Sequence, residues 1–137
     1  MSNHNIDVVT IGNILKETII YPSRTIGPVL GSPCAYTSLT ISKLGLKAGM
    51  VSYYGSDYPK GMIDELRLVD KHGFIQHAYS TENHLIYRED GTKIVDYFKT
   101  APVIQFSDIP AEYMNAQVFF VCPMNYEVSI DLCISLK

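Results

Sequence analysis

The sequence predicts an α/β protein, a parallel sheet flanked by helices with a small separate β-sheet attached. Three observations carry this. Short runs of apolar, largely β-branched residues recur at Ile6 to Ile11, Ala48 to Tyr54 and Val118 to Val121, the pattern of strands buried on both faces. Helical segments fall between them, and strands alternating with helices favour a parallel sheet. A Glu89-Asp90-Gly91-Thr92 turn joins His84–Arg88 to Lys93–Phe98; Asp-Gly between two such runs marks a hairpin that does not fit the alternation.

Ile6 to Ile11 closes on Gly12-Asn13 and reads as a central strand ending in a tight turn. Glu17–Tyr21 and Arg24–Gly27 flank Pro22-Ser23 and read as two short strands. Ser32 to Leu44 is the best-marked helix, with Ser32 as N-cap, Pro33 at the first helical position and Gly45 just past the end. Ala35, Ser38, Leu39 and Ser42 share one face, small enough to lie close against a sheet. After the strand Ala48–Tyr54 and the turn Gly55-Ser56-Asp57, a helix is expected from Pro59 to about Lys71, broken by Gly73. Ser107-Asp108-Ile109-Pro110 opens a short helical turn, and helix resumes from Val128. The last strand and helix leave Val118–Val121, Ile130 and Ile134 partly uncovered, as if the chain were cut inside a larger fold. That flank predicts self-association unless something covers it.

Composition excludes some classes of function. The chain has 137 residues, 47% apolar and 18% charged, with net charge −3 and no run of Lys or Arg. It therefore offers no phosphate-neutralising surface for nucleic acid and no basic face for a membrane. No apolar run approaches the roughly 18–20 residues that span a bilayer, and the polar start Met1-Ser2-Asn3-His4-Asn5 shows no secretory signal. Cys34, Cys122 and Cys133 are odd in number and form no Cys-x-x-Cys pair, which implies reduced, buried thiols in a cytoplasmic protein.

Two segments are candidates for ligand recognition. Gly31-Ser32 at the start of the capped helix would offer free backbone N–H groups and the positive end of the helix dipole; on composition alone the residues favour a merely well-formed helix start. Gly12-Asn13 and Glu17 follow the first strand, at the end of an open sheet where ligands bind; a turn glycine with a solvated Glu fits as well. Asp57 reads as a turn or cap residue. His4, His72, His77 and His84 show no metal-ligand spacing, so no metal site is expected. Gly-x-Ser-x-Gly, Gly-x-Gly-x-x-Gly and Gly-x4-Gly-Lys-Ser/Thr are all absent. Tyr53, Tyr54, Tyr87 and Tyr97, among ten tyrosines, suit stacking on a base or sugar, or the filling of a core.

Taken in order, these pieces resemble the first half of the ribokinase-like, or PfkB, family of carbohydrate and nucleoside kinases. Gly31-Ser32-Pro33-Cys34-Ala35-Tyr36, running on to Lys43-Leu44-Gly45, is similar to the family's first signature, which usually begins Gly-Gly, carries Asn at the place of Tyr36 and closes Leu-Gly. Val51 to Asp57 resembles the strand that ends Gly-x-Asp. Gly12-Asn13 and Glu17 fall where the family has a Gly-rich turn and a hydroxyl-binding Asp. Val118 to Pro123 with Glu127 resembles a segment of archaeal-type members. The resemblance implies a Rossmann-type parallel sheet with a small β-sheet lid, its strands at about 17–28 and 82–99, over one domain portion of residues 1–137. It implies a sugar, polyol or nucleoside substrate touched by Asn13, Glu17, Gly31, Ser32 and Tyr36, with ATP and Mg²⁺ serving the intact kinase. It also implies a homodimer through the lid. The Gly-rich second signature with the catalytic Asp is absent, so no catalytic residue is assigned and this chain alone is expected to be inactive. Ser32, Tyr36 and Glu17 depart from the usual residues and leave the sugar open. The other reading is a short, non-catalytic sugar-binding or dimerising protein.

Overall fold

The computed structural model describes residues 5–137. The polar start and His4 lie outside them. The elements in chain order are β1 (Val8–Ile11), β2 (Leu15–Tyr21), β3 (Arg24–Gly31), α1 (Pro33–Lys43), β4 (Ala48–Gly55), α2 (Lys60–Asp64), β5 (Asp70–His77), β6 (Thr81–Tyr87), β7 (Lys93–Lys99), two 3₁₀ turns (Phe106–Asp108 and Ala111–Asn115), β8 (Val118–Val121) and α3 (Ile130–Ser135). The first sheet has the order β5-β4-β1-β8, and its pairs are all parallel. The second has the order β3-β2-β6-β7: two antiparallel hairpins joined by the parallel β2–β6 pair. The parallel α/β body with a small second sheet is the architecture that the alternation and the Asp-Gly hairpin imply.

Both faces of the first sheet are covered, which is why β1 and β4 read as continuous apolar runs. On one face Ile14, Leu30, Cys34, Ala35, Met50 and Leu66 form a core with α1 and the α2 segment. On the other, Val9, Ile11, Val51, Ile104, Tyr113 and Leu132 pack together. Helix α1 begins where the sequence places it: the Ser32 hydroxyl accepts from the N–H groups of Cys34 and Ala35, with Pro33 in the first turn. Gly45 has φ +90° just beyond its end, the left-handed conformation that glycine supplies at no steric cost. Ala35 and Ser38 are buried on the face toward the sheet, and the Ser38 hydroxyl bonds to Thr10 on β1.

The expected helix to Lys71 is corrected. It ends at Asp64, and tight turns through Leu66 and Val69 lead straight into β5. The Lys71 ammonium closes those turns, donating to the carbonyls of Leu66 (2.8 Å) and Val69 (3.2 Å). Gly73 is no helix breaker but a strand residue paired with Val51. A Cβ there would meet the Met50 carbonyl oxygen at 2.5 Å and the Tyr113 ring at 3.0 Å. Tyr113 is buried; its hydroxyl donates to Asp70 and accepts from Gly73 N–H, and burial pushes its phenol well up. The strands at 17–21 and 24–27 are longer than expected, together covering Leu15 to Gly31 around the Pro22-Ser23 turn.

The uncovered flank is as expected: Val118, Phe120, Ile130 and Ile134 are exposed. The cysteines need one correction. Cys34 and Cys122 are buried free thiols, but Cys133 is exposed, because it lies on the outward side of α3 while Leu132 faces the core.

The contrast between two glycines checks the packing at β5. Gly73→Ala overpacks the backbone of Met50 and is expected to cost about 1–3 kcal/mol in urea unfolding. Gly61→Ala, on α2 with open space around it, is expected to be neutral or to stabilise by up to about 1 kcal/mol.

Candidate functional site

The parallel strands β1, β4 and β8 deliver their carboxyl ends to one side of the body, where the second sheet leaves and returns. Gly12 ends β1 against a neighbouring backbone: a Cβ there would sit 2.5 Å from the Cys122 carbonyl oxygen. Asn13 is fully buried. Its amide donates to Pro102 O (3.0 Å) and accepts from Tyr53 N–H (2.8 Å). It thus ties the end of β4 to the chain returning from the second sheet. Its side-chain oxygen is engaged in that tie.

Gly31 is the last residue of β3 and pairs with Leu15. A Cβ on Gly31 would approach Leu15 Cγ at 2.9 Å and Glu17 Cβ at 3.0 Å, so glycine makes room for Glu17 beside the start of α1. Ser32 takes φ +118°, a conformation L-residues seldom adopt, and is spent on its own helix cap. Tyr36 is 57% exposed; its hydroxyl donates to Leu30 O at 2.7 Å.

Glu17 stands in a row that crosses three strands. It is in register with Asn83 on β6, which is in register with Tyr97 on β7. Asn83 Nδ2 donates to the Glu17 carboxylate at 3.2 Å. The Tyr97 phenol is pushed up by burial, then by the charges of Glu127 and Glu17; the Tyr36 phenol is raised by burial, then by Glu17 and Glu65. Register and the Asn83 bond join Glu17, Asn83 and Tyr97 directly, with Tyr36 and Glu127 near enough to be felt electrostatically. Glu127 comes from the loop after β8 and is itself buried, accepting from Met124 and Asn125 N–H groups. Two carboxylates, an amide and two phenols next to the start of α1 suit a neutral, hydroxyl-rich ligand better than an anion.

Of the residues that the sequence singled out, Glu17, Gly31, Ser32 and Tyr36 lie around the end of β3 and the start of α1, while Asn13 is taken up as a tie between elements. Asn83, which the sequence did not single out, and Tyr97, one of several aromatics there, join Glu17 through strand register. Of the others, Tyr54 packs on Phe74, Tyr87 stacks on Tyr21, and Tyr53 donates to Asp108. Among the described residues no group of three or more His, Cys, Asp or Glu side chains is placed to share a metal ion. No helix is long and apolar enough to cross a membrane. A cavity of about 460 Å³ opens at the opposite, amino ends of the strands, lined by Ser42, Lys47, Arg67 and Asp70 among others, away from all these residues.

Asp57 does more than terminate a turn. It accepts from Ser80 N–H (2.8 Å) at the entry to β6 and from the Lys16 ammonium (3.1 Å). Lys16 also pairs with Glu82 (3.2 Å), and Lys99 pairs with Glu82 (3.4 Å) and Asp57 (3.7 Å). Two cations and two carboxylates thus pin the base of the second sheet to the body. Burial alone would raise the Asp57 carboxyl, but the bonds from Lys16 and Ser80 outweigh it and hold the carboxyl below its ordinary value.

No protein-family profile matches the chain. The chain is similar to the cytidine kinase of Thermococcus kodakarensis, 31% identical over an alignment of 137 positions that covers 96% of this chain and 49% of that protein. Among solved structures it matches a sulfate complex of a pyrophosphate-dependent kinase in the ribokinase family, with TM-score 0.78 and 18% identity over 94% of this chain and 46% of that one. It also matches a fructokinase of Halothermothrix orenii, with TM-score 0.69 and 20% identity over 85% and 46% of the two chains. The fold is that of ribokinase-family kinases, as the signature around Gly31 to Gly45 implied, and the chain spans about half the length of the proteins it matches.

The tie at Asp57 has a pH signature. A carboxyl held below its unfolded value contributes stability that is present above about pH 4 and lost as pH falls through the lowered folded value. Asp57→Asn is expected to destabilise the protein by about 1–2 kcal/mol at neutral pH, between the values for exposed and buried pairs. It should also flatten the acid limb of stability, as read from urea midpoints between pH 3 and pH 7.

Proposed function

We propose that these residues form the acceptor-binding portion of a kinase that phosphorylates a hydroxyl of a nucleoside, sugar or polyol. The observation that carries this reading is the Glu17 carboxylate, held by Asn83 beside the start of α1 and near the carboxyl ends of the parallel strands, where open α/β sheets take their ligands. The relation to a cytidine kinase puts a nucleoside first among the acceptors; the similarity to fructokinase and to inositol kinases keeps sugars and polyols in the class.

In phosphoryl transfer the protein's work is positioning and charge stabilisation, with acceptor oxygen and leaving oxygen in line. The residues described supply the first part. Glu17 would accept from hydroxyls that are not the nucleophile and so fix the orientation of the one that is. Tyr36 and Tyr97 would wall the ligand from either side. The second sheet, with strands spanning about 17–28 and 82–99, would act as a lid that keeps water from competing with the acceptor. Its exposed Ile94, Val95 and Phe98 are the surface through which two copies would pair. ATP with Mg²⁺ is the donor that the family resemblance implies, while some matched structures are of pyrophosphate-dependent kinases. The described residues fit neither donor: they include no glycine-rich phosphate loop and no gathered metal ligands. No step is therefore assigned to a donor or to a catalytic base.

Cytidine, fructose and myo-inositol test the reading by thermal shift and titration calorimetry. At least one should raise the melting temperature, since a ligand at one hundred times its Kd adds about 2.7 kcal/mol. Glu17→Ala should weaken that ligand's binding about tenfold or more, as loss of a hydrogen bond to a charged group costs about 1.5–3 kcal/mol. Binding that is indifferent to Glu17, or no binding by any of the three, would overturn the assignment.

A further inference from the structure

Asn83 carries an unfinished hydrogen bond. Its side-chain oxygen is buried and has no partner, the only buried side-chain polar atom among the described residues in that condition. The residue as a whole is 2% exposed. Reversing the amide would not repair this, because it would set the oxygen against the Glu17 carboxylate, acceptor facing acceptor, and would forfeit the bond from Nδ2. Glu17 therefore fixes the orientation that leaves the Asn83 oxygen unsatisfied. A buried acceptor in this state is a standing cost unless something that comes and goes completes it.

The position of the row says where a donor would come from. Side chains of β2 and β6 alternate between the two faces of the second sheet, so Leu15, Glu17 and Ile19 share a face with Thr81, Asn83 and Leu85. The first pair, Leu15 and Thr81, is sealed against the body, while the third, Ile19 and Leu85, is half-exposed. Glu17 and Asn83 are the pair between. Asn83 is buried and Glu17 half-buried beside Gly31, with Tyr97 next in register across β7.

We infer that the Asn83 side-chain oxygen accepts a hydrogen bond from a hydroxyl of the bound acceptor, so that Asn83 and Glu17 together select ligands with hydroxyls on adjacent carbons. This rests on the acceptor-binding reading above and adds a specificity residue to it. The chemistry is set by what the two groups lack. Both still offer acceptor oxygens: one Asn83 N–H is used on Glu17, a further side-chain bond links Asn83 to the Tyr97 phenol, and the amide oxygen is left over. A vicinal diol brings two donors on one ligand, and each hydroxyl can still accept from a neighbour. An isolated hydroxyl would satisfy one acceptor and leave the other buried and unpaired. Sites built around an unpaired polar group discriminate sharply against analogues lacking the matching group.

The experiment pairs a change in the protein with a change in the ligand. Affinities of the full chain for cytidine, fructose and myo-inositol are measured by calorimetry, then those of monodeoxy forms of whichever binds (2′-deoxycytidine and 3′-deoxycytidine in the first case). Wild type should bind at least one monodeoxy form at least tenfold more weakly than its parent. In Asn83→Leu, which keeps the volume but removes the acceptor together with the Nδ2 bond to Glu17, that ratio should collapse to within about twofold. A deoxy penalty in wild type that survives in Asn83→Leu overturns the inference and leaves the acceptor-binding reading standing. So does binding indifferent to every deoxygenation. Failure of all three parent ligands to bind would instead remove the acceptor-binding reading, and this inference with it. Should Asn83→Leu fail to fold, the deoxy series on wild type still decides, since equal affinity for parent and every monodeoxy form is incompatible with a paired-hydroxyl site.

Discussion

One buried amide, that of Asn13, ties together two of the segments where the two sheets of this protein meet. Asn13 follows β1 by two residues, and its side chain joins Tyr53 N–H at the end of β4 to Pro102 O on the strand-free segment after β7. The chain first leaves the body for the second sheet after Gly12 and returns from it for the last time by Pro102, so the amide joins the first departure to the last return. An amide suits this work because it donates and accepts in one plane, with no charge to desolvate. Were the tie absent, the ends of β1 and β4 would still be set by their own ladder and the returning chain by Ala101 on Thr81 and by the bridge between Ile104 and Val128, but this direct bond between them would be gone. The row of Glu17, Asn83 and Tyr97 is set by the ladders of the second sheet itself; the tie fixes the segments that flank it.

The ionic group at the base of the second sheet complements this tie in a different way. Lys16, Lys99, Asp57 and Glu82 balance in charge, and their long side chains can exchange partners without leaving a charge alone. A neutral amide gives a fixed point and a four-membered charge group gives a tolerant one. Together they attach the second sheet to the body by a fixed neutral bond at one place and by a group of exchangeable ion pairs at another.

Much of the fold could be read from residues whose reasons are local. The Ser32-Pro33 start and Gly45 end of α1 are complete within the helix, so its bounds were legible to within a residue. The Asp90-Gly91 turn likewise announced β6 and β7. What could not be read was β5. Its sequence, Asp-Lys-His-Gly-Phe-Ile-Gln-His, has neither an apolar run nor a clean alternation, because as an edge strand it is only half-buried. Its extended form comes from partners on β4 and from Tyr113, forty residues away along the chain, standing over Gly73. The same holds in the site. Glu17, Gly31 and Ser32 belong to segments with their own signatures, whereas Asn83 acquires its meaning from register with Glu17, sixty-six residues earlier. A strand's alternation says that position 83 faces the same way as 81 and 85; it does not say which residue of another strand stands beside it.

That dependence on register bears on how such a site can change its ligand. The residues that would touch a ligand divide between a rigid origin and an adjustable one. Gly31 and Ser32 are held by steric demands, the near approach of Leu15 and Glu17 to one and the left-handed backbone and helix cap of the other. A substitution there disturbs the fold first. Asn83 and Tyr97 sit on strands whose ladders are made by backbone and tolerate many side chains, so substitution there alters the ligand's surroundings and spares the architecture. The cost of the unsatisfied Asn83 oxygen falls on the empty state, which is where a selective site can carry it: what the free protein lacks, the correct ligand supplies, and a ligand one hydroxyl short leaves the deficit in place.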